Sequence, residues 1–273
     1  MRILLKIGGA QLENTAPRQA LAQAIARART EGHELVVVHG GGNQIRTLGK
    51  ALGIAEQYHD GLRVTDARTA EVVLMVLAGL VNKTLVRSLQ RCRVPAVGLC
   101  GADGGTFTAQ KLSKPGADLG FVGAIDLVDP HLVQTLLSTG QVPVIATVAP
   151  GTTGADDEPF FNLNADHAAG PLCRALHCDA LLFLTDVPGV LDAQGQRLPR
   201  LTPTDCERLV ATGVAKGGML PKLDAALAAL RDNPRALIKI APANAPDAVL
   251  AALRANSGTA FTTTTTAAAD LET

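Results

Sequence analysis

Aromatic residues are scarce in this sequence: it has no tryptophan, one tyrosine and six phenylalanines among 273 residues. Hydrophobic residues still make up 47% of the chain, so its core has to consist of Leu, Val, Ile and Ala. The length is sufficient for one large α/β domain or for two fused lobes with an ample core.

The chain also has no net charge, because 25 Lys and Arg residues balance 25 Asp and Glu residues. No overall field therefore attracts nucleic acid or an anionic membrane, and we expect neither as a partner. The apolar run over residues 72–81 is too short to span a bilayer. Lys6 interrupts the N-terminal apolar run that a signal peptide would need, so we expect a soluble, cytoplasmic protein.

Metal and disulfide signatures are absent as well. The five cysteines are an odd number without a Cys-x-x-Cys pair. Each lies in or beside an apolar segment, which predicts buried free thiols in a reducing cytosol. His39, His167 and His177 do not have the spacing of metal ligands, so we expect no metal site formed by protein side chains.

The stretch from Arg2 to Gly9 carries the first functional signal. Its continuous apolar run is typical of a strand buried on both faces of a parallel sheet. Lys6 interrupts the run, and Gly8 and Gly9 follow it directly. A cation and exposed backbone N–H groups at the carboxyl end of a strand indicate a phosphate site. An edge lysine before an ordinary turn is the alternative that this stretch alone leaves open.

Three glycines, Gly40 to Gly42, follow the next predicted strand, Glu34–His39, and precede a helix. Three consecutive glycines cost conformational entropy that an ordinary turn does not require, so this pattern favours anion binding at a helix N-terminus. Neither G-x-G-x-x-G nor G-x-x-x-x-G-K-[ST] occurs, which argues against a Rossmann dehydrogenase and a P-loop enzyme.

Further candidate residues lie where predicted elements begin or turn. Arg63 lies in a predicted hairpin, where it could bind a carboxylate with two hydrogen bonds or simply be a solvated surface arginine. Asn162, Asn164 and Asp166 lie at a helix start, and capping explains Asn164 but not all three. Lys222 lies in the first turn of a helix, where a cation needs an anionic neighbour.

The alternation of predicted strands and helices indicates a mostly parallel sheet with helices on both faces. Its longest predicted helix runs from Ala67 to about Gln90 and is capped by Asp66. This helix has two apolar aspects, one formed by Val72, Val73, Val76 and Leu80 and the other by Leu74, Leu77 and Val81. One aspect must pack on the sheet, which leaves the other as a candidate dimer contact.

Six motifs together resemble the amino acid kinase family and occur in order over about residues 2–262. They are Lys6-Ile7-Gly8-Gly9, His39-Gly40-Gly41-Gly42, Gly61-Leu62-Arg63-Val64-Thr65, Asn162-Leu163-Asn164-Ala165-Asp166, Leu184-Thr185-Asp186-Val187-Pro188-Gly189-Val190 and Gly218-Met219-Leu220-Pro221-Lys222. The resemblance implies an α/β fold, an open αβα sandwich with a mostly parallel central sheet. It also implies an acyl-substrate lobe at about 1–165 and a nucleotide lobe at about 166–262, while residues 263–273 are expected to fray.

The same resemblance implies roles for individual residues. Lys6 and Lys222 would flank the transferring phosphoryl group, and Asp166 would hold both lysines in place. The binding residues implied are Gly8 and Gly9 for phosphate; Gly41, Gly42, Arg63, Asn162 and Asn164 for the acyl substrate; and Asp186, Val187, Pro188, Gly189, Val190, Leu191, Lys216, Gly217, Gly218 and Met219 for the nucleotide. The implied cofactors are ATP and Mg²⁺ bound through the nucleotide.

The activity that the resemblance favours is ATP-dependent phosphorylation of the side-chain carboxylate of N-acetyl-L-glutamate. A carboxylate is ionised at neutral pH, so this reaction needs positioning and charge neutralisation rather than a general base. Two alternatives stay open: a kinase for a carrier-protein-linked aminoadipate or glutamate, and a non-catalytic regulatory module of the same fold.

Two further expectations follow from the resemblance. Family members commonly dimerise through the long helix, and arginine-inhibited relatives form hexamers through an extra N-terminal helix. This chain begins directly with its first strand, so we expect a homodimer without cooperative arginine inhibition. Gly170-Pro171 lies where the family usually has alanines inside a helix, which predicts a kink or a late start there.

Overall fold

The computed structural model describes residues 1–152, 154–245 and 247–263. The strands are β1 (Arg2–Ile7), β2 (Glu34–His39), β3 (Tyr58–His59), β4 (Leu62–Arg63), β5 (Ala96–Leu99), β6 (Phe107–Lys111), β7 (Val122–Val128), β8 (Val142–Ala146), β9 (Val148–Ala149), β10 (Phe161–Leu163), β11 (Ala180–Thr185), β12 (Arg200–Leu201), β13 (Leu237–Pro242) and β14 (Thr259–Phe261). The predicted frayed tail lies, except for residue 263, outside the described residues.

The helices alternate with these strands. They are α1 (Ala10–Glu13), α2 (Thr15–Thr30), α3 (Gly42–Ala51), α4 (Ala67–Leu74), α5 (Asn82–Arg91), α6 (His131–Ser138), α7 (Ala165–Ala175), α8 (Pro203–Ala211), α9 (Met219–Asp232) and α10 (Ala248–Leu253). A π-helical segment (Met75–Val81) joins α4 to α5, and a short 3₁₀ turn covers Asp103–Gly105.

The central sheet has eight strands in the order β12-β14-β13-β11-β1-β2-β8-β5. The six strands from β13 to β5 are parallel, whereas β14 is antiparallel to β13. The predicted mostly parallel sheet is therefore confirmed. Strand β1 lies between β11 and β2, so the carboxyl ends of these three strands meet at one edge of the sheet.

Helices cover both faces of this sheet, as the αβα prediction requires. One aliphatic core packs α2, α4, α5 and α10 against the sheet, and a second core packs α6, α7, α8 and α9 on the opposite face. In β1, Leu5 and Ile7 belong to the first core and Leu4 to the second. Because side chains alternate along a strand, Lys6 faces α7 and α9. The division into two lobes stays a prediction.

The cysteines are free thiols, as predicted. Cys92 is half-buried, and the other four are buried. Burial raises the pKa of Cys100 and of Cys206 to about 11. Both thiols are therefore protonated and unreactive at neutral pH.

The long helix is capped as predicted, since Asp66 accepts a hydrogen bond of 2.7 Å from the Thr69 N–H. Its predicted apolar aspects are wrong in one respect: Leu80 is 59% exposed, whereas Leu77 and Val81 are buried. A π turn closes hydrogen bonds five residues apart instead of four, so it shifts the buried face by one residue. Val76 and Leu77 are thus followed in the core by Val81, whereas Leu80 lies outside it.

Residues 67–91 satisfy the length and composition of a membrane span, with a mean hydropathy of 1.7 in their most apolar window. More than half of that window, 56%, is buried inside the structure. A buried core helix that crosses no membrane passes the same test of length and composition, so this is weak evidence for a membrane span.

Helix α7 begins at Ala165 and continues through Pro171 to Ala175, so the predicted late start is wrong. Pro171 removes one helical hydrogen bond. Gly170, the residue before it, packs closely on α9, because a Cβ there would lie 3.3 Å from Cα and Cβ of Ala229. The helix thus continues past the proline in contact with α9, and the kink stays a prediction.

A smaller sheet in the order β6-β7-β10-β9 and the β3–β4 hairpin lie beside the main sheet. The N–H of Thr65, just after the hairpin, donates to the Leu119 carbonyl at 3.0 Å, and the Thr65 carbonyl accepts from the Phe121 N–H at 2.6 Å. Strand β10 leads directly into α7. The hairpin and β10 are thereby fixed next to the carboxyl end of the main sheet.

Candidate functional site

A cleft of about 220 Å³ opens at the carboxyl ends of the central strands. Its walls come from the loop after β2, the β3–β4 hairpin, β10 and the start of α7. All five residues predicted to bind the acyl substrate line it, namely Gly41, Gly42, Arg63, Asn162 and Asn164, together with Gly9 and Asp166. Sequence motifs that are more than a hundred residues apart along the chain, such as those of Gly41 and Asn162, therefore line one cavity.

The Asp166 carboxylate lies between two lysines from different elements. The Lys6 Nζ atom, near the end of β1, lies 2.7 Å from Asp166 Oδ1. The Lys222 Nζ atom, in the first turn of α9, lies 3.3 Å from Asp166 Oδ2. The structure therefore supplies the anionic neighbour that the position of Lys222 required.

Burial strongly affects the charges of this group, since Lys6 is 4% exposed and Asp166 is 8% exposed. Burial and the neighbouring Lys222 lower the pKa of Lys6, while Asp166 opposes this change. Burial alone would raise the pKa of Asp166, but the two lysines outweigh it and hold the pKa of that carboxyl below its usual value. Asp166 is ionised at neutral pH, and the two ammonium groups leave an excess of positive charge for a further anion.

Backbone N–H groups of two glycine loops lie at the carboxyl ends of β1, which carries Lys6, and of the neighbouring strand β2. In the part of the chain that the structure describes, the N–H groups of Gly8, Gly9 and Gly41 have no hydrogen-bond acceptor. The N–H of Gly42 begins α3, where no intrahelical acceptor exists. The loops touch, since a Cβ on Gly9 would lie 3.2 Å from the Gly42 nitrogen. Such free N–H groups at a helix N-terminus bind oxyanions.

Arg63 is not a solvated surface arginine, because its side chain is 9% exposed. Its Nη1 donates to Glu56 Oε1 at 2.5 Å, and its Nη2 donates to the Gly42 carbonyl at 3.2 Å. Its guanidinium carbon lies 4.9 Å from the centre of the Tyr58 ring. The arginine is thus held in one orientation at the wall of the cleft.

The two asparagines before α7 have different partners. The Asn164 side-chain oxygen accepts from the N–H groups of Asp166 and His167 at 2.9 and 3.4 Å, so the predicted cap is confirmed. This cap fixes the start of α7 and with it the position of Asp166. The Asn162 side chain donates to Thr65 Oγ1 at 3.2 Å.

The residues predicted to bind the nucleotide lie in two segments beside this group. Residues 186–191 follow β11, and residues 216–219 lead into α9 and Lys222. The first segment is fixed to β14, because the Val190 N–H donates to Thr259 Oγ1 at 2.9 Å. A Cβ on Gly189, whose φ is +145°, would lie 2.6 Å from the same oxygen. Only glycine fits this close approach.

Sequence reasoning missed Glu56 and Tyr58, which hold Arg63 in place. Glu56 also accepts from Arg46 Nε at 3.1 Å, so it links α3 to the hairpin. Glu56 precedes β3 in a segment without periodicity, and no local pattern distinguishes it from a solvated carboxylate.

Magnesium would have few protein ligands here. No group of three or more His, Cys, Asp or Glu side chains that could hold a metal ion occurs within 1–152, 154–245 and 247–263. Both oxygens of Asp166 already face lysines. The residues present fit a magnesium ion held chiefly by nucleotide phosphates.

Comparison with known proteins agrees with this geometry. The sequence profile of the amino acid kinase family matches residues 1–239. The chain is 46% identical to the acetylglutamate kinase of Koribacter versatilis over 250 residues, which are 91% of this chain and 93% of that one. It is 41% identical to the acetylglutamate kinase of Agrobacterium fabrum over 239 residues, 84% of this chain and 80% of that one.

Solved structures share the fold. The protein smu.665 of Streptococcus mutans superposes with a TM-score of 0.80 at 26% identity, covering 96% of this chain and 99% of that one. The N-acetylglutamate synthase of Neisseria gonorrhoeae, complexed with coenzyme A and N-acetyl-glutamate, superposes with a TM-score of 0.82 at 24% identity. That match covers 96% of this chain and 59% of the synthase, and it supports the fold alone.

The ion pair between Lys6 and Asp166 should show strong coupling in stability. Asp166→Asn leaves the buried Lys6 ammonium without its carboxylate, which we expect to lower the free energy of unfolding by about 3–5 kcal/mol. Adding Lys6→Met removes the unpaired charge, so the double variant should be more stable than Asp166→Asn alone. Urea unfolding at pH 7 measures all the variants.

Asp224→Asn is the matched control, because the Asp224 side chain is 75% exposed and pairs only with His167. Its effect should stay within about 0.5 kcal/mol. If the decreases in the free energy of unfolding of Lys6→Met and Asp166→Asn add up to the decrease of the double variant, the two residues are not coupled.

Proposed function

Because this chain belongs to the amino acid kinase family, we propose that it transfers the γ-phosphoryl group of ATP to the side-chain carboxylate of N-acetyl-L-glutamate. Relatives 41–46% identical over most of the chain have the name acetylglutamate kinase. The observation that carries the proposal is the Lys6–Asp166–Lys222 group beside free glycine N–H groups.

In the proposed reaction, an oxygen of the substrate carboxylate attacks the γ-phosphorus. That bond forms while the bond to the bridging oxygen breaks, and ADP leaves with the electron pair. The carboxylate needs no deprotonation, so catalysis consists of positioning and charge neutralisation. Lys6 and Lys222 stabilise the negative charge that spreads over the phosphoryl oxygens, and Asp166 keeps both lysines in position.

In this proposal the substrate binds in the cleft that the glycine loops, the β3–β4 hairpin, β10 and the start of α7 form. Gly8 and Gly9 donate to phosphoryl oxygens, while Gly41 and Gly42 donate to oxygens of the acyl substrate. Arg63 has five N–H donors, of which two contact Glu56 and the Gly42 carbonyl. The other three can bind the substrate's α-carboxylate. Asn162 and Asn164 line the same cleft.

Residues 186–191 and 216–219 bind the nucleotide in this proposal, because both segments adjoin the elements that carry the phosphate-facing groups. Mg²⁺ bound through the nucleotide would supply charge neutralisation for the transfer. We also propose a cytoplasmic location, with which the free cysteines agree.

Coupled ADP-release assays test the substrate. N-acetyl-L-glutamate should give the highest kcat/KM among N-acetylglutamate, glutamate, carbamate and N-acetylaminoadipate. Activity restricted to a carrier-linked acceptor would favour the lysine-branch alternative. The absence of ADP release with every acceptor would favour a regulatory module.

Lys6→Met and Lys222→Met should each lower kcat by about a hundredfold or more while KM changes little. The reason is that both cations act on charge that develops in the transition state. Steady-state kinetics with the purified variants measure kcat and KM separately.

Lys239→Met is the control for loss of a buried lysine. Lys239 is 2% exposed and donates to the Arg254 carbonyl, away from the cleft. Its kcat should match the parent value. A large change in KM with unchanged kcat in the Lys6 or Lys222 variants would refute their catalytic role.

Arg63→Lys should weaken N-acetylglutamate binding by about 1.5–3 kcal/mol, because lysine keeps the charge but loses the two-pronged geometry. The affinity for ATP should hardly change. Isothermal titration with each ligand gives both numbers.

Arg46→Lys is the matched control, since Arg46 contacts the same Glu56 from outside the cleft. It should leave both affinities within about twofold. Equal weakening of both ligands by Arg63→Lys would show that this arginine is structural.

We also propose a homodimer formed through the long helix. Met75 is 53% exposed and Leu80 is 59% exposed, and both lie on its π-helical segment. Two large apolar side chains that are exposed close together on one segment are suited to a two-fold contact with a second copy.

Light scattering should give the mass of a dimer, and the double variant Met75→Glu/Leu80→Glu should give a monomer. The control is Leu127→Glu, because Leu127 is 60% exposed but lies on β7. A parent protein that scatters as a monomer or a hexamer would overturn the proposal.

A further inference from the structure

A second buried polar cluster lies behind the glycine loop and is not part of the cleft. His39 ends β2 immediately before Gly40, and Asn82 begins α5. Both residues are 0% exposed. Lys83 adds its ammonium group to this cluster from the next position of α5. Polar groups that are buried this completely persist only when each has a defined partner.

The orientation of the Asn82 amide is determined by two neighbours that each have one hydrogen-bonding role. The Val144 carbonyl can only accept, so the atom 2.9 Å away must be Asn82 Nδ2. The Lys83 ammonium can only donate, so the atom 3.1 Å from it must be Asn82 Oδ1. Flipping the amide would break both contacts.

This orientation determines where His39 carries its proton. Asn82 Nδ2 also lies 3.0 Å from His39 Nε2, and an amide nitrogen can only donate. Nε2 must therefore be unprotonated, and the proton of the neutral ring lies on Nδ1. Burial lowers the pKa of His39 to about 4, so the ring is neutral at pH 7.

The protonated Nδ1 lies 3.0 Å from the Gly40 carbonyl oxygen and donates to it. Because the peptide group is planar and trans, its C=O and N–H point in opposite directions. A Gly40 carbonyl held against the buried ring therefore directs the N–H of Gly41 away from that ring. This N–H has no acceptor among the described residues, and Gly41 lines the cleft.

We propose that Asn82 is a positioning residue: it fixes the Nδ1–H tautomer of His39, which in turn holds the Gly40–Gly41 peptide with its N–H available to the substrate. The inference rests on the proposed phosphotransfer, because it assigns the Gly41 N–H to an oxygen of that reaction. The close fit of Asn82 supports it, since a Cβ on Gly98 would lie 1.8 Å from Asn82 Oδ1.

The tautomer can be measured without any activity. Two-bond ¹⁵N–¹H correlation spectra of the histidine rings distinguish Nδ1–H from Nε2–H, and His39→Gln identifies the His39 signals. The parent protein should show Nδ1–H. In Asn82→Asp the carboxylate can only accept, so His39 should carry a proton on Nε2. A parent ring protonated on Nε2 would refute the network, whatever the enzyme phosphorylates.

The kinetic test compares Asn82→Asp with Asn233→Asp. Asn233 is a suitable control, because its buried amide likewise donates to two acceptors, here the carbonyls of Ala229 and Gly170. Asn82→Asp should lower kcat for N-acetylglutamate about ten- to a hundredfold, with the KM for ATP within twofold. Asn233→Asp should keep the parent kcat. Equal kcat values in the two variants would reduce Asn82 to a structural role.

A pair of His39 variants provides an independent test if Asn82→Asp does not fold. The Asn side chain places an N–H near the position of Nδ1, whereas the Gln side chain places its polar group near Nε2. His39→Asn should therefore retain at least tenfold more kcat than His39→Gln. The reverse order, or equal values, would contradict the role of the Gly40 contact. Absence of kinase activity in the parent would instead count against the proposed function alone.

Discussion

The arrangement of the cleft depends on the Asp166 carboxylate, which holds two ammonium groups in a buried position. Lys6 comes from the central strand β1 and Lys222 from the first turn of α9, so one side chain ties together a strand and two helices. A charge buried this completely is stable only with its partners in place. The same geometry leaves net positive charge beside the free N–H groups, and this excess makes the group suitable for an anionic ligand.

The parts of this site that the sequence predicted are those with a local physical cause. A buried parallel strand requires a continuous apolar run, and Lys6 is noticeable because it interrupts one. Glycines directly after a strand and the Asn164 cap likewise act within a few residues. The resemblance to a family connected these separate signals, and the structure places both lysine ammonium groups within 3.3 Å of the Asp166 carboxylate.

The parts that the sequence did not predict depend on contacts between distant segments. The role of Glu56 was identified only from its hydrogen bond to Arg63, because the residues around it in the sequence show no periodic pattern. The register of the long helix was predicted with a period of 3.6 residues, and the π turn changed which apolar residues are buried. Pro171 was expected to delay the start of α7, but the helix begins at Ala165 and continues through the proline, where Gly170 packs on Ala229.

The long helix supports the glycine loop through both apolar packing and a polar contact. Leu77 and Val81 are four residues apart, so they lie on one face of the helix, and both pack on Gly41: a Cβ there would lie 2.8 Å from Leu77 Cδ2 and 3.0 Å from Val81 Cγ2. The residue after Val81 is Asn82, which contacts His39. The packing contact of Val81 and the polar contact of Asn82 come from consecutive residues, so the glycine loop is held by both kinds of contact at one point of the helix.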